Sequence, residues 1–338
     1  MTNLKNTAAL KVLIAGGYGH VGSNIARHLR KKHPEINLIL GGRHPEKGHQ
    51  FAAEIGRTEC IFLDVNKPFD SDSAGSPDLI IAALQDHKNM LFDAAVENNI
   101  SYISITRTAD EVAPMIFKAL QKQPLSKLVL TDHWQAGVLT IVAKQVAEQF
   151  QQINTIETAC VYDELDPIGP MIAAQMDSFV TRALIRNEKN WIFVDATEYP
   201  RDFYLANGTA ARGYPMGTLD VPSLASLTDA SNVRFDIVIG QSIGTNQGKN
   251  ASHDLYIDIE GILVSGKPAK MRTIVSDPAG QSHLTALGVL ISVEGIFGLS
   301  GQLPPSNGGI YLPETLLNAT NAVKTLKEFG VTITQTEI

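Results

Sequence analysis

KVLIAGGYGHVGSNIARHL, residues 11–29, runs from an apolar stretch through four glycines, at 16, 17, 19 and 22, into a pattern with helical spacing. Gly17, Gly19 and Gly22 have the G-x-G-x-x-G spacing; Gly16, Gly19 and Gly22 satisfy the looser G-x-x-G-x-x-G. Val12 to Ala15 predicts a buried strand and Val21 to Lys31 a helix, so the glycines form the turn between them. A dinucleotide pyrophosphate must come close to backbone N–H groups at a helix N-terminus, where a Cβ would obstruct it. In such a turn the first glycine permits the tight bend, the second the close approach, and the third close packing of helix on strand. Tyr18 and His20 would flank the phosphates, with Val21 completing the stretch. A tight connection with no ligand is the plainer reading, but the strand-turn-helix context favours nucleotide binding.

Working outward, Asn37 to Leu40, Cys60 to Leu63, Leu79 to Leu84, Tyr102 to Ile105 and Lys127 to Leu130 read as further strands, and Pro45 to Ile55 as a second helix. Strands separated by helical crossovers imply a doubly wound parallel sheet. The second strand ends Leu40-Gly41-Gly42-Arg43-His44, where an NAD site places an Asp or Glu for the ribose hydroxyls. Arg43, with His44 and Lys47 nearby, suits a 2′-phosphate instead, so NADP is the expected cofactor. Arg43 as a solvated loop residue is the alternative. Asp64, after the third strand, could accept from the adenine amino group or simply close a turn. Ala82, Ala83 and Leu84 end the fourth strand, where small residues let a cofactor pass or fill core.

Ligands of open α/β sheets sit outside the carboxyl ends of the strands. That rule selects Leu84-Gln85-Asp86-His87, Thr106-Arg107-Thr108, with Thr106 placed beside the cofactor, and above all Thr131-Asp132-His133-Trp134-Gln135. His133 is the better general acid or base because an imidazole titrates near neutrality. Asp132 could orient it or transfer the proton itself. The same cluster would also serve as a helix cap and packing ring. Tyr162, Asp163 and His253 are weaker candidates. None of the eight tyrosines has a Lys four residues on, and H-E-x-x-H is absent. The nine histidines are dispersed, so no metal site is expected.

After Thr155 the texture changes. Thr155 to Val161 reads as a strand, and Gly169-Pro170 as the start of a helix carrying Ile172, Met176, Phe179, Val180, Ala183 and Leu184. Arg234 to Ile239 and Leu255 to Ile262 alternate as half-buried antiparallel strands do, and Ser265 to Pro268 turns toward Met271 to Val275. Pro313 starts a helix over Glu314 to Phe329, with Leu316, Leu317, Val323 and Leu326 on one side. The expected fold is α/β: a doubly wound parallel Rossmann sheet (1–152), a second α+β domain for substrate and dimerisation (153–308), and a C-terminal helix (309–338) returning to the first.

The chain has 338 residues, 44% apolar and 19% charged, with a net charge of −7. These values describe a globular protein and argue against a nucleic-acid or anionic-membrane surface. Cys60 and Cys160 lie a hundred positions apart without ligand spacing, so they are expected to be reduced and structural. Lys11 interrupts any leader-like apolar run, and Leu284 to Leu299 is short and contains Glu294. A cytoplasmic protein is expected.

VLIAGGYGHVG, LGGRHPEK, SYISITR, GILVSGKP and GGIYLPETLL together resemble the saccharopine dehydrogenase-like reductases. The resemblance implies a Rossmann domain, an inserted α+β domain, a homodimer, and hydride transfer between a nicotinamide and a secondary amine or imine derived from an amino acid. It also implies a small carboxylated substrate, for which Arg182, Arg186, Arg201, Arg212, Arg234 and Arg272 are available. Asp132 to Gln135 replaces the family's Pro-Gly-containing turn. The rival readings are a non-catalytic NADP-binding sensor or regulator and a reductase of alcohols or aldehydes.

Overall fold

The computed structural model describes residues 10–105, 107, 109–169 and 181–338. Two compact units are formed, one by Met1–Asp132 with Ala286–Leu317, the other by His133–Thr285 with Asn318–Ile338. Each is built around its own sheet.

In the first unit, β1 (Lys11–Ala15), β2 (Asn37–Gly42), β3 (Thr58–Phe62), β4 (Leu79–Ala82), β5 (Ser101–Ser104) and β6 (Lys127–Leu130) pair in parallel in the order β3-β2-β1-β4-β5-β6. A further strand, Gly309–Tyr311, adds beyond β6. This is the doubly wound order, with its reversal between β1 and β4. Ala15 lies opposite both Gly41 and Ala82 in register, so the ends of three strands meet at that reversal. β4 and β5 are buried along their whole length, because helices cover both faces of such a sheet. Those helices are α1 (His20–Lys32), α2 (His49–Ile55), α3 (Met90–Glu97) and α4 (Ala109–Lys122). α1 buries Gly22, Ile25, Ala26 and Leu29 on one face and places Arg30, Lys31 and Lys32 in its last turn, where the helix dipole favours cations. α2 is shorter than expected: Pro45–Lys47 is a 3₁₀ turn and the helix starts only after Gly48.

The second unit begins with α5 (Val138–Ala147) and contains β7 (Phe150–Tyr162), β8 (Arg182–Asn187), β9 (Asn190–Asp195), β10 (Arg201–Tyr204), β11 (Ala210–Pro215), α6 (Asp220–Thr228), β12 (Asn232–Ile239), α7 (Ile243–Asn246), β13 (His253–Leu263) and β14 (Pro268–Asp277). α8 (Gln281–Phe297), β15 (the Gly309–Tyr311 strand), α9 (Pro313–Leu316), α10 (Ala319–Glu328) and β16 (Thr332–Glu337) complete the chain. Among the described residues the main path of the mixed sheet runs β10-β11-β12-β7-β13-β14-β16, with β8 pairing to β12 and β9 to β8.

Several expectations are corrected. Ile172, Met176, Phe179 and Val180 lie outside the described residues, but Ala183 and Leu184 belong to β8, not to a helix. There Ala183 and Ile185 are buried while the strand pairs with β9. β12 pairs antiparallel with β11 and β8, as expected, but runs parallel to β7 on its other side. The C-terminal helix is two helices, because Asn318 breaks the run and caps α10 by accepting from the Thr320 and Asn321 amides. The division also differs from boundaries at 152 and 308. Position 152 falls inside β7, β15 joins the first sheet through β6, and α10 packs on α5 of the second unit.

Candidate functional site

The four glycines have four different surroundings. Gly16 adopts φ +82°, and a Cβ on it would lie 2.7 Å from the Ala83 carbonyl oxygen. At Gly17 a Cβ would lie 2.8 Å from Ile14 O, and at Gly22 it would overlap the Gly16 carbonyl. Gly19 differs: its only near neighbour would be Gly16 O at 3.1 Å, and it is exposed. Gly16, Gly17 and Gly22 are therefore small because protein backbone fills the space, whereas Gly19 borders open space at the α1 N-terminus. The left-handed glycine is Gly16, not Gly17, so the G-x-x-G-x-x-G spacing matches the local geometry better. Gly19 N donates to Gly16 O at 2.9 Å and Gly19 O accepts from Ser23 N at 3.0 Å, which closes the turn and opens the helix. His20 is exposed and Val21 half-buried beside it.

Tyr18 does not stay at the turn. Its phenol oxygen accepts from the His44 amide at 3.0 Å, at the end of β2. A Cβ on Gly42 would collide with that oxygen and lie 2.5 Å from Cζ; one on Gly48 would lie 2.8 Å from the Tyr18 ring. Arg43 and His44 are exposed, and His44 Nδ1 lies 3.2 Å from Glu46. Asp64 closes a turn, accepting from the Asn66 amide at 3.1 Å and its side chain at 3.2 Å. The Asn66 hydrogen bonds, helped by Lys67 and Arg43, hold this carboxyl below its usual range. It borders a cleft of about 230 Å³ lined also by Leu63, Phe69, Met90 and Leu91.

At the ends of β4 to β6, Ala83 N donates to Ala15 O, and Ala83 and Leu84 border Gly16. Asp86 is buried and caps α3, accepting from Met90 N at 2.9 Å and Leu91 N at 2.8 Å. Thr106 lies outside the described residues. Arg107, half-buried, donates through Nη2 to the Asp86 carbonyl at 2.7 Å. Asp132 is buried and accepts from Ser104 Oγ and from the Arg107 amide, so its carboxylate fastens the end of β5 to the end of β6.

His133 is the first residue of the second unit. It is 5% exposed, its Nε2 lies 2.7 Å from Ser223 Oγ of α6, and its Nδ1 is buried without a hydrogen-bond partner among the described residues. The Trp134 amide donates to Asp220 at 2.8 Å. Gln135, Ala136 and Gly137 are all left-handed, at φ 54°, 51° and 90°, a costly run for two residues with a Cβ. Side chains fix it. Gln135 accepts from Thr285, and His253 Nε2 faces both Trp134 Nε1 at 3.2 Å and Gln135 Nε2 at 2.9 Å. Two donors on Nε2 leave Nδ1 to carry the ring proton toward Asp166, 3.3 Å away. Asp163 is buried, and its carboxylate accepts from Ser242 N, Thr245 Oγ1 and Leu165 N. Tyr162 is half-buried.

The six arginines of the second unit are mostly engaged. Arg186 pairs with Asp229, Arg201 and Arg234 with Asp236, and Arg272 with Asp258, while Arg182 stacks 3.6 Å from the Phe193 ring centroid. Arg212 is exposed. Among the described residues no group of His, Cys, Asp and Glu could hold a metal, and no helix is long and apolar enough to cross a membrane. The role of Tyr18 at the end of β2 was missed from sequence, although the paired glycines 41 and 42 were the available signal.

No protein-family model matches the sequence, and no curated protein does. Among solved structures, the apo L-Glu-forming saccharopine dehydrogenase of Saccharomyces cerevisiae superimposes with a TM-score of 0.69 over 98% of this chain and 100% of that chain, at 11% identity. The fold is that of saccharopine dehydrogenase. Weaker similarity extends to a myo-inositol dehydrogenase from Corynebacterium glutamicum (TM-score 0.49, 12% identity, 97% and 98% covered) and a probable dehydrogenase from Thermotoga maritima (0.49, 11%, 97% and 98%).

Proposed function

We propose that this chain is an NADP-dependent oxidoreductase that transfers hydride at the C–N bond of an amino-acid-derived secondary amine or imine. One observation carries the dinucleotide: Gly19 stands open at the α1 N-terminus while its three companions are packed by protein. The nicotinamide, when bound, supplies the hydride chemistry. Gly19 and the free N–H groups of the first α1 turn receive the pyrophosphate. Ala83 and Leu84 form the wall beside Gly16, and the Asp64 cleft suits the adenine. Arg43, exposed at the end of β2 where no carboxylate stands, supports the 2′-phosphate. Arg107, at the end of β5, offers a cation to a substrate carboxylate. His133 or Asp132 moves the proton, and a homodimer is the expected assembly.

A second reading is a non-catalytic NADP-binding protein. It is favoured by the engagement of both proton donors, His133 on Ser223 and Asp132 on Ser104 and Arg107. Replacing Arg43 by Ala should weaken NADPH by about 1.5–3 kcal/mol, the scale of a hydrogen bond to a charged group, and leave NADH nearly unchanged. Equal losses in titration calorimetry refute the 2′-phosphate assignment. NADPH oxidation with keto acids and amines separates the two readings: turnover excludes the non-catalytic one, and tight binding without turnover supports it.

A further inference from the structure

We infer that Tyr18 determines cofactor specificity, its phenol hydroxyl donating to the 2′-phosphate at the place where NAD-binding chains hold a carboxylate. The inference rests on the proposed NADP reading and deepens it. In doubly wound folds the residue ending β2 presents a carboxylate to the ribose hydroxyls. Here that position is Gly42, and the Tyr18 phenol occupies the space that a Cβ on it would need. The glycine turn sends the Tyr18 side chain across to the neighbouring strand, and Gly48 clears room for the ring. A neutral hydroxyl thus stands where an acceptor-only anion would otherwise stand.

The direction of the hydrogen bond gives that hydroxyl its chemistry. Its oxygen accepts from the His44 amide at 3.0 Å, so its own hydrogen is the one left to donate, and it makes no other hydrogen bond among the described residues. A phenol that accepts one bond and donates another suits a phosphate oxygen, which only accepts. Arg43, the next residue along the chain, supplies the charge. Arg43 attracts the dianion and the phenol adds a directed donor. A carboxylate at 42 would repel the same group, so the exchange of Asp or Glu for Gly42 and Tyr18 both admits the 2′-phosphate and removes a ribose acceptor.

The test is Tyr18→Phe, which deletes one oxygen and keeps the ring that Gly42 and Gly48 accommodate. NADPH should bind about ten- to a hundredfold more weakly, the effect of one lost hydrogen bond to a charged group, with NADH unchanged. The wild-type protein gives an independent readout. 2′,5′-ADP, but not 5′-ADP, should produce a near-ultraviolet tyrosine difference band, because only the first carries the phosphate that the phenol meets. Unchanged NADPH affinity in Y18F, or no difference band with 2′,5′-ADP, overturns the role of Tyr18 while leaving the Arg43 assignment intact. Equal affinity of the wild-type protein for NADPH and NADH overturns the 2′-phosphate reading and this inference with it. If Y18F does not fold, the difference spectrum of the wild-type protein decides alone.

Discussion

Gly19 and Gly22 sit three residues apart in one turn, yet substitution should harm them in opposite ways. Gly19 faces space that protein does not fill. Gly19→Val should therefore leave the circular dichroism spectrum and melting temperature close to wild type while abolishing dinucleotide binding. Gly22 is pressed on the Gly16 carbonyl. Gly22→Ala forces backbone apart and should cost about 1–3 kcal/mol in chemical denaturation, before any ligand is added. Should G19V unfold, or should it bind NADPH normally, the open space beside Gly19 is not the pyrophosphate seat. The same contrast shows what the sequence could tell. Glycine spacing located the turn, but which glycine bends and which one faces a ligand depends on Ala83 and Leu40, more than twenty residues away.

At the scale of elements, the loop after β7 is held by one buried carboxylate. Burial works to raise the Asp163 pKa, yet hydrogen bonds from Thr245, Ser242 and Leu165 prevail and keep it below the ordinary value. A depressed carboxylate stabilises the fold above its unfolded-state pKa of about 3.9, and that contribution is lost as pH falls through the lower folded-state value. Asp163→Asn should accordingly cost about 2–3 kcal/mol at neutral pH. The gap to wild type in urea denaturation should narrow below about pH 4. A gap that stays constant with pH would mean that packing, not ionisation, is what the variant loses. Elements were legible where burial writes a plain pattern. β1, β4 and β6 are apolar runs that any parallel sheet requires, and α1 carries its stripe. β9 and β16 were not legible, because edge strands with mostly exposed or half-exposed side chains have no alternation that burial must enforce. β15, three half-buried residues long, is too short for any pattern. The left-handed run at Gln135 to Gly137 was hidden for another reason: only Gly137 advertises it, and the groups that hold it, His253 and Thr285, are distant in the chain.

For the whole molecule, a ligand that binds only the folded chain adds stability in proportion to the logarithm of its concentration over Kd. NADPH at about a hundred times its Kd should add about 2.7 kcal/mol and raise the melting temperature by several degrees, and NADH at equal concentration should add less. Equal shifts for both nucleotides would count against Arg43 and Tyr18 together. The hairpin of β8 and β9 matters to the same bulk behaviour. Among the described residues β9 pairs only with β8, and it carries Trp191 and Phe193, 47% and 56% exposed, with Arg186 and Arg182 lying over their rings. An open strand edge rich in aromatic residues invites edge-to-edge association between molecules. The two guanidiniums lay charge across that strand and oppose such pairing, so the purified protein should turn cloudy more readily in concentrated salt, which screens them.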